Sequence, residues 1–219
     1  MGAVTRHAGR VTDPATYDDL LDRARGLVAA LPRPPVIAIA GHGGSGKTTL
    51  ARRLAADLGF EAEQVVKTDR LYAATDTRRA GLFELQDWPV ILDLLGRVRA
   101  DPAPSRLTYA TRGYDGEEGV VDLPMPAAVI LEGIRVIRPE TLPLLDLGVW
   151  IDLDPEPASA RAKARNTLQG DPQSELDLWD TKWVPESHEY QRLVRPERLA
   201  HLVVAAAGPE LSSHPTSGS

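Results

Sequence analysis

The octapeptide at residues 41–48, Gly-His-Gly-Gly-Ser-Gly-Lys-Thr, constrains this chain more than any other segment. It matches the pattern G-x-x-x-x-G-K-[ST], in which backbone N–H groups turn toward phosphates, the lysine reaches the β- and γ-phosphates and the final hydroxyl binds Mg²⁺. The segment therefore predicts a nucleoside triphosphate and Mg²⁺ as ligands. The predicted nucleotide-binding residues are Gly41, Gly43, Gly44, Ser45, Gly46, Lys47, Thr48 and Thr49, of which Lys47 is also predicted to be catalytic.

The segments on either side of this loop have the character that a phosphate-binding loop requires. Residues 36–40 are an apolar run typical of a buried strand. Leu50, Leu54 and Leu58 recur at helical spacing, and Gly59 lies where a helix would end. A strand before the loop and a helix after it favour phosphate binding over a glycine-rich turn with an incidental lysine.

Composition excludes several classes of function. The net charge of −6 disfavours a nucleic-acid partner, and the absence of cysteine excludes thiolate metal sites and cysteine nucleophiles. No segment approaches the roughly 18 consecutive apolar residues of a membrane span, so we expect a cytoplasmic protein without a membrane partner. We expect a single domain at 14–207, a flexible start at 1–13 and a disordered tail at 208–219, and a homo-oligomer is left open.

Apolar runs alternate with helical patterns along the chain. Strands are predicted at 36–40, 65–69, 127–131, 147–153 and 202–205. Helices are predicted from a cap at Asp13-Pro14 through Leu31, after the phosphate loop, around Ile91–Val98, at 155–168, and from Asp171-Pro172 to a break at Pro185. Residues 101–126, rich in Pro, Gly and charge, are interpreted as an irregular excursion. The expected fold is α/β: a parallel sheet of about five strands, helices on both faces and a small lid around 155–172.

Two acidic residues follow predicted strands at the edge where parallel sheets bind ligands. Asp69 ends the second strand and is assigned as the catalytic base that orients the attacking hydroxyl, with capping of the next helix as the alternative. Glu132 ends the next strand and is predicted, with Thr48, to organise Mg²⁺; the alternative is an ordinary strand-end carboxylate facing solvent.

Two further groups are candidates with open alternatives. Arg161 and Arg165 are four residues apart, so they share a helix face that could close on the phosphates as catalytic cations or simply face solvent. A loop that mixes aromatic and polar side chains could form a small-molecule pocket or pack on its own aromatic rings. Its residues are Tyr109, Arg112, Tyr114 and Asp115.

Taken in order, these residues resemble the uridine kinase-like branch of P-loop kinases over roughly residues 34–206. Besides the phosphate loop, the matching segments are Thr68-Asp69-Arg70-Leu71-Tyr72 against a family D-x-[FL]-Y, Asp87-Trp88-Pro89 against D-H-P, Tyr114-Asp115 against Y-D, and Ile130-Leu131-Glu132-Gly133 against [IV]-[VL]-E-G. Only the phosphate loop is specific by itself, and the order of the set carries the resemblance.

The resemblance implies roles for these positions. By it, Asp69 is the base, Asp87 binds substrate ribose hydroxyls, Tyr114 lies near the nucleoside, Glu132 serves Mg²⁺, and Arg161 and Arg165 belong to the lid. The predicted substrate-binding residues are Asp87, Tyr114, Asp115, Tyr109, Arg112 and Tyr72, with Tyr109 as an alternative match to the family aromatic.

The chain also departs from the family pattern. Trp88 replaces the histidine of D-H-P, the histidine expected after Y-D is missing, and Asn166 and Gln169 stand where the lid has aspartate and arginine. We therefore expect a kinase of this type that acts on a different hydroxylated small molecule, nucleoside-like or sugar-like. The absence of an N-K-x-D sequence favours ATP over GTP as donor. The alternative is a nucleotide-dependent switch or ATPase with a conformational output and no small-molecule acceptor.

Overall fold

The computed structural model describes residues 14–74 and 81–206, so the predicted flexible start and disordered tail lie outside the described residues. The helices are α1 (Tyr17–Ala30), α2 (Lys47–Asp57), α3 (Trp88–Val98), α4 (Pro155–Gln169), α5 (Gln173–Leu178), α6 (Val184–Val194) and α7 (Pro196–Leu199). The strands are β1 (Val36–Ala40), β2 (Val66–Lys67), β3 (Arg106–Arg112), β4 (Glu118–Pro124), β5 (Val129–Gly133), β6 (Leu147–Asp152) and β7 (Leu202–Ala205).

Five strands form one parallel sheet in the order β2-β5-β1-β6-β7. The central strand β1 is buried along its whole length, as expected for a strand covered on both faces. Ala38 of β1 packs in a cluster with Leu94 of α3, whereas Ile39 packs in a second cluster with Leu20 of α1 and Leu54 of α2. These two apolar layers confirm the predicted α/β fold with helices on both faces of the sheet.

The first helix begins at a local capping structure. Thr16 Oγ1 accepts a hydrogen bond from the amide of Asp19, and the Asp19 carboxylate accepts one from the amide of Thr16. This reciprocal pair satisfies amides that would otherwise lack partners in the first turn. The cap is therefore Thr16 rather than the predicted Asp13-Pro14.

The predicted irregular excursion at 101–126 is wrong in its centre, because β3 and β4 there form an antiparallel hairpin. Alternate residues of β3 (Leu107, Tyr109 and Thr111) are buried, which is the period of a half-buried strand. Arg106 and Asp122 join the two strands with a 2.7 Å ion pair. The Pro and Gly residues that suggested irregular structure lie at the ends and at the turn.

The predicted helix break at Pro185 is also wrong. The chain remains helical from α5 into α6 through a π-helical turn at Trp179–Trp183, where the amide of Val184 bonds to the carbonyl of Trp179. Proline lacks an N–H and its ring clashes with the carbonyl four residues earlier in a regular α-helix. The wider turn directly before Pro185 changes this spacing, so the helix continues.

Asp146, just before β6, ties three segments together. Its carboxylate accepts hydrogen bonds from Arg33 (2.7 and 2.8 Å), from the amide of Val36 (2.8 Å) and from Arg99 (2.7 Å). Burial alone raises the pKa of Asp146, but these hydrogen bonds outweigh it and bring the pKa to about 2.

None of the helices in the described ranges is long and apolar enough to cross a membrane.

Candidate active site

The phosphate loop connects β1 to α2 with two glycines in left-handed conformations, Gly44 (φ 86°) and Gly46 (φ 98°). A Cβ on Gly44 would lie 2.1 Å from the carbonyl oxygen of Ala158 in α4, and a Cβ on Gly43 would lie 2.6 Å from the ring of Trp179. Glycine is therefore required at Gly44 both by backbone conformation and by the close approach of α4. The absence of side chains at these positions therefore lets α4 and the Trp179 ring pack directly against the loop backbone.

Lys47, the first residue of α2, lies under this loop and is 8% exposed. Its ammonium group donates a 2.8 Å hydrogen bond to the carbonyl of His42 inside the loop. Burial lowers the pKa of Lys47, and the negative charges of Glu132 and Asp69 oppose that shift. The site thus holds a cation in a desolvated position, where its attraction for an anion is stronger than in water.

Thr48 and Glu132 meet across the sheet edge. Thr48 Oγ1 donates a 2.9 Å hydrogen bond to Glu132 Oε1. Glu132 is 4% exposed and is paired in register with Ile39 of β1 and Lys67 of β2, so the two neighbouring strands fix its position. Burial raises the pKa of Glu132, while the Lys47 charge opposes the shift.

The residues present fit a magnesium-bound triphosphate. The Ser45 hydroxyl is 1% exposed and has no hydrogen-bond partner within residues 14–74 and 81–206, so it can serve a phosphate oxygen. Those same residues contain no cluster of three or more acidic or histidine side chains that could hold a metal ion. Mg²⁺ usually takes one or two protein oxygens together with water and substrate phosphates, and Thr48 and Glu132 supply such oxygens.

Asp69 lies in the short 3₁₀ turn Thr68–Arg70 directly after β2 and is exposed to solvent. Its charge raises the pKa values of both Lys47 and Glu132, so the three groups share one electrostatic site. Asp69 does not cap the next helix, α3. Asp87 caps that helix by accepting a hydrogen bond from the amide of Val90. Asp69 thus lies beside the phosphate loop with its carboxylate accessible.

The two arginines of the predicted lid lie on α4 and are both exposed. The positive charge of Arg165 lowers the pKa of Lys47, which places Arg165 within electrostatic reach of the loop, and its side chain donates to Asn166 Oδ1 at 3.1 Å. Between the arginines, Lys163 instead pairs with Asp180. The buried face of α4, at Ala158, packs against the loop.

Several predicted substrate-binding residues share one cavity of about 350 Å³. Its walls include Tyr72, Asp87 and Arg112, together with Glu118 of β4. Arg112 donates to Glu118 at 2.8 Å, and its Nη1 lies 4.0 Å from Asp87 Oδ2. The hairpin therefore brings its arginine to the start of α3. The cavity that they line has mixed polar and apolar walls and lies close to the turn that carries Asp69, because Leu71 also lines it.

The other predicted substrate-binding residues lie elsewhere. Tyr114 is 56% exposed at the hairpin turn and contacts the Tyr72 ring edge-to-face at 5.4 Å. Asp115 accepts a hydrogen bond from the amide of Glu117 within that turn. Tyr109 packs in the hydrophobic core, where burial raises its pKa to about 12. The structure thus brings Tyr114 next to the cavity wall at Tyr72, whereas Tyr109 lies among core residues.

A second cavity of about 370 Å³ adjoins the first at Asp87 and was missed by sequence reasoning. Its walls include Phe83, Gln86, Trp88 and Arg138. Trp88 departs from the family pattern, and nothing in the local sequence marks Gln86 or Arg138 as cavity residues. Their proximity depends on the chain folding residues 134–138 back against the start of α3.

Comparisons with known proteins show which proteins this chain is similar to. No family model matches the chain. It is 30% identical over 186 residues to the uridine kinase of Deinococcus deserti, covering 77% of this chain and 81% of that protein. It is 27% identical over 187 residues to the uridine kinase of Limosilactobacillus reuteri, covering 80% and 85% respectively. Its fold is similar to the crystal structure of a candidate fructose transport system kinase from Silicibacter sp. TM1040 (TM-score 0.68, 17% identity, 87% and 98% coverage).

Proposed function

We propose that this chain, which belongs to the uridine kinase-like family of P-loop kinases, transfers the γ-phosphate of Mg·ATP to a hydroxyl group of a nucleoside-like or sugar-like acceptor. Membership of this family makes the chain a small-molecule kinase. The identity of the phosphate donor, the metal ion and the class of acceptor are proposed. One observation supports the proposal above the others: the chain combines a phosphate loop, with a buried lysine and a Thr48–Glu132 pair, and a separate cavity that Asp87 and Arg112 line. Leu71, two residues after Asp69, lines the same cavity.

The residues around the loop have separate tasks. When bound, Mg·ATP supplies the phosphoryl group and the charge neutralisation of its transfer. The loop amides and Lys47 hold the phosphates, while Thr48 and Glu132 offer oxygens to the metal. Asp69 orients the acceptor hydroxyl and accepts its proton late, as expected for a loose transition state. Arg161 and Arg165 lie on the helix that packs over the loop and add positive charge there.

The acceptor is proposed at the level of a hydroxylated small molecule. The relatives are named uridine kinase, and the similar fold belongs to a protein named for fructose transport. These names support a nucleoside-like or a sugar-like acceptor. Trp88 stands where the family has histidine, which argues against carrying over uridine itself. The paired cavities at Asp87 disfavour a switch or ATPase without an acceptor, because such a protein needs no second small-molecule pocket.

The proposal is tested by incubating the protein with Mg·ATP and a panel of nucleosides and sugars, with mass spectrometry to detect an added phosphate. We expect at least one acceptor to gain a phosphate and ADP to form in equal amount. Omitting Mg²⁺ should stop both products. ATP hydrolysis without phosphorylation of any acceptor would contradict the kinase assignment and favour the ATPase alternative.

A further inference from the structure

We propose that Gly133 and Thr68 are positioning residues, and that their direct contact sets the distance between the proposed base Asp69 and the proposed metal-binding carboxylate of Glu132. The inference rests on the proposed kinase function and adds two residues that act through their neighbours. Thr68 precedes Asp69 in the chain, and Gly133 follows Glu132. A contact between Thr68 and Gly133 therefore joins the two halves of the proposed site.

The contact is closer than any side chain at position 133 would allow. A Cβ built on Gly133 would lie 2.0 Å from Thr68 Oγ1 and 3.0 Å from both Cβ and Cγ2 of Thr68. Cβ atoms in proteins essentially never lie within 3.0 Å of such a neighbour. Gly133 does not have a positive φ. The close approach of Thr68, and not the backbone conformation, is therefore what requires glycine at this position.

The side chain of Thr68 has little freedom to move away from Gly133. The residue is 1% exposed, so its surroundings are filled. Because Thr68 is branched at Cβ, only one of its staggered rotamers would turn hydrogen, rather than oxygen or carbon, toward Gly133. The carbonyl of Thr68 also accepts a 3.0 Å hydrogen bond from the amide of Leu71, a core residue. A methyl group at position 133 would therefore displace the turn as a whole.

The turn is the part that would move, because β5 is held on both sides. β5 lies between β2 and β1 in the sheet and is buried along its whole length. β2 is an edge strand of two residues, and its last pair with β5 joins Lys67 to Glu132. Thr68 and Asp69 lie beyond that pair, in the 3₁₀ turn. Strand pairing therefore does not fix them, and the contact with Gly133 holds their distance from β5.

A displaced turn would move Asp69 relative to the phosphate loop. Thr68 Oγ1 would have to retreat by about 1 Å to lie 3.0 Å from the new methyl group, and a misplacement of about 1 Å can lower a rate by about 10²-fold. Glu132 would stay in place, because β1 and β2 flank it and Thr48 donates a hydrogen bond to it. A methyl group at position 133 should therefore slow transfer and leave nucleotide and metal binding intact.

The test compares two glycines of the same sheet. Gly133→Ala adds a methyl group at the contact, whereas a Cβ on Gly148 of β6 would lie 3.4 Å from its nearest neighbour, His201 Nδ1. Kinetic constants are measured with Mg·ATP and the best acceptor among uridine, cytidine, D-ribose, D-fructose and glycerol. We expect Gly133→Ala to lower kcat by about 10²-fold, with the ATP KM and the apparent Mg²⁺ affinity within about threefold of wild type. Gly148→Ala should leave all three constants within about threefold.

A substitution at position 68 distinguishes positioning from a general loss of folding. Thr68→Ala removes Oγ1 and Cγ2, so the double variant Gly133→Ala/Thr68→Ala should regain at least tenfold in kcat over Gly133→Ala. Thr68→Val keeps the branched shape, so Gly133→Ala/Thr68→Val should remain as slow as Gly133→Ala. If Gly133→Ala does not fold, Gly133→Ala/Thr68→Ala should still fold, with kcat within about tenfold of wild type.

Crystal structures test the geometry without an acceptor. In Gly133→Ala, the distance between the carboxyl carbons of Asp69 and Glu132 should change by about 1 Å, because a packed interior transmits the strain to the turn. In Gly133→Ala/Thr68→Ala, this distance should return to the wild-type value.

The results that would overturn the inference differ from the result that would contradict the kinase function. An unchanged carboxyl distance or an unchanged kcat in Gly133→Ala would overturn the positioning role, and so would a double variant with Thr68→Ala that stays slow or unfolded. The kinase function would stand in each case. A wild-type protein that phosphorylates no acceptor would contradict the kinase function, and the crystal structures would still decide the positioning role.

Discussion

Thr48 Oγ1 and Glu132 Oε1 are 2.9 Å apart although the two residues are separated by 84 positions in the chain. The hydroxyl is fixed by the first turn of α2 and the carboxylate by the end of β5, so the sheet and the phosphate loop together set this distance. Two oxygen ligands in contact can share one ion, and the buried lysine beside them favours the ionised carboxylate.

We predict that Glu132→Gln weakens the binding of magnesium, so that more Mg²⁺ is needed for activity. The substitution keeps the size of the side chain and removes the charge that attracts the ion, so apparent Mg²⁺ affinity should fall by about 10- to 100-fold. The apparent Mg²⁺ affinity is measured by titrating activity with Mg²⁺ at saturating nucleotide. Because burial raises the pKa of Glu132, wild-type activity should fall as pH drops through that raised value, and the variant should lack this step. An unchanged Mg²⁺ titration would contradict the metal role.

We predict that Asp69→Asn abolishes transfer while nucleotide binding stays nearly intact. An amide cannot accept the hydroxyl proton, so kcat should fall by about 10²- to 10⁴-fold. Steady-state kinetics and calorimetric ATP titration measure the two effects. Asp122→Asn, at an exposed carboxylate of the hairpin, is the matched control and should keep full activity. A fully active Asp69→Asn protein would remove the assignment of the base.

We predict that Lys47→Ala weakens ATP binding and turnover together, because the buried ammonium group acts on the phosphates in both the ground state and the transition state. Calorimetry with ATP and Mg²⁺ tests this result. Binding that equals the wild-type value would count against the phosphate-loop assignment as a whole.

We predict that Gly44→Ala disrupts the loop. The new methyl group would meet the carbonyl of Ala158 at 2.1 Å, and the φ of 86° is itself unfavourable for alanine. Either the loop or α4 must move, so ATP affinity should fall at least tenfold. Gly26→Ala in α1 has nothing within 4 Å of the new methyl group, and it should raise stability by about 0.5–1 kcal/mol at unchanged affinity. Equal effects of the two substitutions would contradict this account.

We predict that Asp146→Asn lowers the free energy of unfolding by about 2 kcal/mol at neutral pH, because charge-assisted hydrogen bonds from two arginines are lost. The folded pKa of about 2 lies below the ordinary value for aspartate. The ionised group therefore stabilises the fold fully above that ordinary value, and its contribution disappears as pH falls toward 2.

Urea unfolding of wild type and Asp146→Asn between pH 7 and pH 2 measures this effect, and the two curves should converge in acid. Asp93→Asn removes an exposed ion pair with Arg97 and should cost less than about 1 kcal/mol at any pH. A gap between wild type and Asp146→Asn that persists at pH 2 would show that the charge is not the cause.

Some predictions from sequence were correct because their signals are local. The phosphate loop, strand β1 and strand β7 were predicted with their observed bounds or nearly so, since an apolar run or a glycine-rich turn specifies its own conformation. The hairpin at β3 and β4 was missed because proline and glycine at its ends concealed the alternation of Leu107, Tyr109 and Thr111. The break at Pro185 was wrong because a π-helical turn accommodated the proline.

By itself, the sequence determined the phosphate-loop motif at residues 41–48, because the amides, ammonium and hydroxyl that phosphate binding is predicted to require lie within one short segment. Only the tertiary structure decided which distant residues line the neighbouring cavities and which are buried in the core. The placing of Trp88 and Arg138 on one cavity, and of Tyr109 in the core, depends on how the hairpin, α3 and the segment after β5 pack together. A pocket between distant segments depends on how those segments pack together, and a local pattern of residues does not predict this packing.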